Sequence, residues 1–154
     1  SNYAPAGAGV TISYNIVGDP GKSYVESCTF VSNANAGLRI VNATVPVSNS
    51  VFWGHADDIS YNNGIATLTY DDIPNETLIG TIGCVTGDPK FVNGYFLNSG
   101  SACIDIGGVS ATNAGVYYFR TTRVDYRWDT GPVDLGYHYP STWEPPRGTF
   151  ITVR

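Results

Sequence analysis

The 154-residue chain has no methionine, five leucines, two lysines and three glutamates, so the strongest helix formers are scarce. A helical bundle is excluded on that ground. No apolar run approaches the roughly 18 residues of a membrane-spanning helix, and there is no basic-then-apolar leader, so no membrane span is expected. Positive charge is also short, with eight Lys and Arg against 13 Asp and Glu, a net charge of −5 and a pI near 4.7. Nucleic acid and anionic membranes both require a basic face, so no nucleic acid partner is expected. Carbohydrate, protein and metal ions remain. Without an initiating Met, Ser1 is expected to be a processed N-terminus or the start of an excised piece.

Cysteine is sparse too. Cys28, Cys84 and Cys103 form no C-x-x-C pair, which argues against zinc. Cys84 and Cys103 could close a disulfide loop worth on the order of 3 kcal/mol in an oxidising compartment. The alternative is that all three are small buried hydrophobes.

What the chain does have is 15 Val, 11 Ile, 11 Tyr, 18 Gly and nine Pro, a composition of strands and turns at single-domain length. With 42% hydrophobic and only 14% charged residues, it can bury a core, and Asn, Thr, Ser, Asp and Tyr must supply most of its polar surface. Such surfaces are common outside cells, and an extracellular or cell-surface location is expected.

Self-comparison finds repeats. VESCTFV (25–31) and VSNSVFW (47–53) align Val25 with Val47 and Phe30 with Phe52, each with a Ser/Asn pivot between, and Ile73 follows Phe52 at almost the same interval. Steps of about 20 residues fit stacked coils of short strands, with Phe30, Phe52 and Ile73 one above another inside. VTISYNIVGD (10–19) and ATLTYDDIPN (66–75) also match, as a further and more distant copy of the unit. Corners are expected at GDPGK (18–22), SNANAG (32–37), GHADD (54–58) and YNNG (61–64), and at Pro46, which cannot donate to a ladder. The alternative fold is an antiparallel β-sandwich, for which only NNG (62–64) resembles a hairpin turn. From about Pro74 the repeat gives way to a Gly- and Tyr-rich stretch with Pro132, Pro140, Pro145 and Pro146. This reads as a cap, which a solenoid needs to cover its last apolar cross-section. The expected organisation is all-β, with β-helix coils over 1–73, an irregular cap over 74–147 and a terminal strand over 148–154, in one structural domain.

DPKFVNGYFLNSGSACIDIG (88–107), followed by TTRVDYRWDTGPVDLGYHYP (121–140), resembles the C-terminal end of right-handed parallel β-helix (pectate-lyase-like) secreted and cell-surface proteins. NSVFWGHADDISYNNGIATLTYDDI (49–73) resembles the coils that precede it in that group. The likeness covers roughly residues 25–140. Ala102 stands where the pattern has Pro, and Tyr126, Arg127 and Trp128 stand where small turn residues are usual. The resemblance implies a right-handed parallel β-helix, from long secreted or cell-envelope proteins of which most have no assigned reaction.

Enzymes on this fold use clustered Asp residues, a basic residue and sometimes a GHG-type His on one face. Arg39, His55, Asp57, Asp58, Asp71 and Asp72 could supply such pieces, including paired carboxylates for acid–base work or Ca²⁺. Their order disagrees with the polygalacturonase pattern, because the basic residue comes first and His55 is followed by Ala56. Corner residues are the preferred reading, since Asp after a strand is ordinary turn chemistry. Asp105, Asp125, Asp129 and Asp134 in the cap motifs read first as turn caps. Asp125, Asp129 and Asp134 are the alternative Ca²⁺ ligands, and no other cofactor is expected. Tyr14, Tyr61, Tyr70, Tyr117, Tyr118, Tyr126, Tyr137, Tyr139 and the three Trp could form a sugar platform, with Trp53, Trp128 and Trp143 the better exposed candidates. Asn42 and Asn75 head glycosylation sequons.

These observations favour a non-catalytic structural or adhesive module over a carbohydrate-active enzyme (a polysaccharide lyase or polygalacturonase-like hydrolase) or a carbohydrate-binding module. Its expected partners are its own subunits, head to tail in a filament, or upstream β-helix coils, with polysaccharide as a further candidate. The assembly element is the alternating strand Gly148, Thr149, Phe150, Ile151, Thr152 and Val153 beyond the cap, donated to an open first coil.

Overall fold

The computed structural model describes residues 8–13, 23–118 and 120–141. Among these residues there is no helix. The regular part consists of β1 (Val10–Ser13), β2 (Val25–Glu26), β3 (Thr29–Val31), β4 (Ala36–Val41), β5 (Thr44–Ser48), β6 (Val51–Trp53), β7 (Asp57–Asn62) and β8 (Ile65–Thr69). Each of β1 to β5 pairs in parallel with the strand three places on, giving sheets β1-β4-β7, β2-β5-β8 and β3-β6. The protein is thus all-β with parallel sheets, and the antiparallel sandwich is excluded. The NNG at 62–64 is no hairpin: it leads from β7 into β8, which belongs to a different sheet.

Register follows the spacing of the sequence. Leu38 pairs with Ile59 and Val47 with Leu68, while Val25 pairs with Val47 and Phe30 with Phe52, so the step from coil to coil is nearly constant. The Phe30 and Phe52 rings stack with centroids 4.7 Å apart, and the bridge between Val51 and Asp72 sets Ile73 opposite Phe52. The steps are unequal at both ends. The pairing of Val10 with Leu38 encloses a longer excursion, and the bridges Thr69–Ile82 and Asp72–Val85 close much shorter ones. Over its described part, Val10–Ser13, the match between 10–19 and 66–75 is not a structural repeat, because Val10 aligns through Leu38 with Ile59, whereas Ala66 lies in β8 opposite Val45. Alternating β-branched and hydroxyl residues suit any half-buried strand and do not specify its sheet.

Three columns of left-handed residues turn the chain between sheets. Ser27, Asn49, Tyr70 and Gly83 have φ of 49°, 50°, 56° and 65°; Asn42 and Asn63 have 52° and 53°; Ser32 and Gly54 have 51° and 73°. Gly and Asn enter this region at least cost. Asn63 Nδ2 also donates to Asn42 Oδ1 at 3.0 Å, a rung between successive corners.

Pro46 does not mark a corner, as its sequence context suggested, but sits in the middle of β5 opposite Thr67. Hydrogen bonding alternates along a central parallel strand. Ala43 O and Asn49 N bond to β8 and its end, whereas Ser48 O accepts from Ser27 on the β2 side. Position 46 therefore faces the β2 side, where β2 begins only opposite Val47, so the missing N–H leaves no partner unpaired.

Leu38, Ile40, Val45, Val47, Phe52, Ile59, Leu68 and Ile73 fill the space between the three sheets. Val51, adjacent to Phe52, points the opposite way and joins Leu97, Cys103 and Leu135 in a second cluster, so β6 is covered on both faces. That outer cover comes from the described residues between 74 and 141. Besides isolated bridges, it holds two short antiparallel strand pairs: β9 (Phe91–Val92) with β10 (Phe96–Leu97), and β11 (Arg120–Thr121) with β12 (Tyr139–Pro140). Asn49 anchors it, accepting from Gly108 N on its side chain and from Gly136 N on its carbonyl. Gly107 is required at this contact, since a Cβ there would lie 2.5 Å from Val133 O.

Candidate functional site

The carboxylates of the last coil do not line a groove. Asp58, Asp71 and Asp72 are fully buried, whereas Asp57 is exposed in β7. Asp71 accepts from the Ser50 amide at 2.8 Å and the Thr69 amide at 3.1 Å, and Asp58 accepts from the Asn75 amide at 2.7 Å. Glu76 extends the pattern by capping the Ile59 amide on the outer edge of β7. Burial pushes Asp71 up to about 7 against the lowering effect of its two amide donors. Burial also takes Asp72 to about 7, opposed by the Cys103 thiol that donates to its Oδ2 and aided by the nearby Asp58 charge.

A second group gathers in the tail. Asp105, Asp129 and Asp134 each bring a carboxylate oxygen within 4.8 Å of the others, with Asp105 exposed and the other two buried. Asp134 Oδ1 accepts from the Asp105 amide at 2.8 Å, and its Oδ2 accepts from the Thr122 hydroxyl. Asp129 Oδ2 accepts from the Asp134 amide at 2.8 Å and from His138 Nε2 at 2.7 Å, while Asp129 Oδ1 is buried without a donor. His138 Nδ1 lies 3.1 Å from Gly136 O, so an oxygen faces each ring nitrogen. Burial first, and then the Asp129 charge, push Asp134 up to about 6.

Of the expected ligands, Asp129 and Asp134 lie in this group and Asp125 does not; the Asp125 carboxylate is forked by Arg123 at 2.9 and 3.2 Å, and Asp105 completes the group. A signal for this exists in the chain: Ile104-Asp105-Ile106-Gly107 and Val133-Asp134-Leu135-Gly136 share one pattern, and they lie side by side through Leu135 N to Cys103 O and Gly107 N to Val133 O.

Trp128 packs edge to face on Tyr118 at 5.5 Å, and a separate group of tyrosines lines a cleft. This cleft of about 450 Å³ runs between Gly9, Val10, Thr29, Phe30 and Asn33 of the first coils and Tyr95, Tyr137 and Tyr139 of the tail. Tyr137 and Tyr139 pack edge to face at 4.9 Å, and the Tyr137 amide donates to Thr29 Oγ1 at 2.8 Å. Trp53 and Trp128 are half-buried and do not line this cleft, and Trp143 lies outside the described residues. So does the proposed assembly strand 148–154.

All three cysteines are free thiols, so the Cys84–Cys103 loop is not closed. Cys84 Sγ instead accepts from the Asp71 amide. Asn42 is exposed, with its Oδ1 engaged by Asn63, whereas Asn75 Nδ2 already donates to His55 O and Asp58 Oδ1. No family model, curated protein or solved structure matches the chain.

Proposed function

We propose that the protein is a non-catalytic structural module of an extracellular or cell-surface protein, built as a right-handed parallel β-helix of a few short coils under an irregular cap. The observation that carries this reading is the fate of the last-coil carboxylates: Asp58 and Asp71 are buried on backbone amides rather than turned toward a substrate groove. The repeating register, the three corner columns and the resemblance of residues 88–140 to β-helix C-terminal ends support the fold. At one end of the sheets, Ile82, Val85 and the tail cover the strands; at the other, β1, β2 and β3 carry no further strand among the described residues. Those edges take another parallel coil, from a second copy joined head to tail into a filament, or from upstream coils. Light scattering over a concentration series, run beside a polygalacturonate turnover assay, tests this. Mass that climbs with concentration, without turnover, is expected. A strictly monomeric particle overturns the filament, and turnover that disappears in Asp57→Ala overturns the structural reading in favour of a carbohydrate-active enzyme.

A second reading, carbohydrate binding, is favoured by the tyrosine cleft, whose partly exposed rings beside Asn33 and Thr29 combine flat apolar faces with hydrogen-bonding groups. Retardation in polysaccharide gels that is lost in Tyr137→Ala supports it, and equal mobility of the two proteins removes it.

A further inference from the structure

We infer that Asp105, Asp129 and Asp134 form a calcium site within the tail. Three observations converge. The first is spacing: an ion about 2.4 Å from each ligand holds oxygens up to about 4.8 Å apart, the limit within which these three carboxylates lie. The second is an unsatisfied acceptor. Asp129 is 1% exposed, its Oδ2 already has two donors, and its Oδ1 has none. An isolated buried carboxylate oxygen is costly, and a cation removes that cost. The third is charge. Three carboxylates gather here, and the nearby Arg123 has its fork on Asp125, which leaves an excess of negative charge that a divalent ion offsets.

The ligand chemistry selects the metal. An all-oxygen, carboxylate-rich set suits a hard cation and not zinc or copper. With two buried ligands and one exposed, the group leaves an open side for water, which the flexible coordination of Ca²⁺ accepts more readily than the strict octahedron of Mg²⁺. The bound ion would join Asp105, in the 104–107 segment, to Asp129 and Asp134, in the 129–136 segment.

Asp105 makes the site testable without unfolding the tail. It is exposed, and its φ of 57° is one that Asn adopts easily, so Asp105→Asn removes a ligand charge at little backbone cost. Trp128, next to Asp129 in the chain, supplies a sensitiser for terbium. The full chain, stripped with a chelator, is titrated with Tb³⁺ under tryptophan excitation, competed with Ca²⁺ or Mg²⁺, and melted with and without Ca²⁺. The wild type is expected to show saturable luminescence displaced by Ca²⁺ at concentrations about tenfold lower than Mg²⁺, and a higher Tm in Ca²⁺. Asp105→Asn is expected to bind about tenfold more weakly, yet to melt no lower than the wild type in chelator, because it relieves repulsion in the metal-free cluster. Asp125→Asn should bind within about twofold of the wild type. Absence of a Ca²⁺-dependent Tm rise together with absence of saturable luminescence overturns the site. So does equal Ca²⁺ affinity in Asp105→Asn and Asp125→Asn.

Discussion

The coils and the tail differ in how far ladders satisfy their backbones. From Val25 to Thr69 each strand meets the next coil after a nearly constant step, so amides and carbonyls pair along ladders and the interior is left to apolar side chains. In the tail, where paired strands are very short, scattered backbone bonds such as Leu135 N to Cys103 O are supplemented by carboxylates acting as acceptors: Asp88 for the Lys90 amide, Asp125 for Arg127, Asp129 for Asp134 and Asp134 for Asp105. Asp58, Asp71 and Glu76 stand where one regime becomes the other, capping amides at the end of the ladders. Charge therefore enters the interior where periodicity stops, as acceptors for amides that no strand pairs.

The comparison predicts its own largest effect. Phe52 is fully buried, stacked on Phe30 and central to the coil interior, so Phe52→Ala should cost about 3–5 kcal/mol in urea unfolding. A loss below about 1 kcal/mol would show that the aromatic stack is not the main support of the coils.

The boundary between the two regimes should give an unusual pH profile. Asp71 and Asp72 have folded values near 7, above the ordinary carboxylate value near 3.8, so between these limits the folded chain binds more protons than the unfolded chain. Stability contributed by these groups is fully present below about pH 4 and is lost as pH rises toward 7, an effect on the order of a few kcal/mol. Asp58 and Glu76 are raised chiefly by burial and add to the same slope. Denaturant midpoints that fall between pH 4.5 and 7.5, with a flatter profile in Asp72→Asn, are expected. A rising midpoint over that interval would contradict the burial of these groups.

The regime with ladders was legible in the sequence, and the other was not. Phe30, Phe52 and Ile73 could be aligned because a coil must return to the same place at a fixed interval, and the Ser27 and Asn49 pivots could be read because few residues take φ near +50°. Pro46 was misplaced because local chemistry does not reveal which side of a strand lacks a neighbour. In the tail, no period relates Asp105 to Asp129, so their meeting depends on a path set by Asn49, Gly107 and Gly136. The Arg123–Asp125 pair was more accessible, since opposite charges two residues apart in one tight turn lie close together.

Asn49 and Asn63 allow the smallest and sharpest test, because they share a left-handed backbone at two corners of the coils, one holding the tail and one not, at φ of 50° and 53°. Glycine keeps that conformation at either position, and the extra freedom it gives the unfolded chain is the same for both, so this contribution cancels in the comparison. What differs is the side chain. Asn49 is 4% exposed and its Oδ1 accepts from Gly108 N at 2.9 Å, where the tail is held to the coils. Asn63 is exposed, and its bond to Asn42 competes with water. Asn49→Gly should therefore destabilise the protein by about 1 kcal/mol more than Asn63→Gly, since one substitution strands an amide at a partly buried contact and the other leaves groups that water can satisfy. Asn49→Gly should also raise hydrogen exchange at the Gly108 amide. Equal losses in the two variants would mean that corner geometry alone, and not the side-chain bond, joins the tail to the coils.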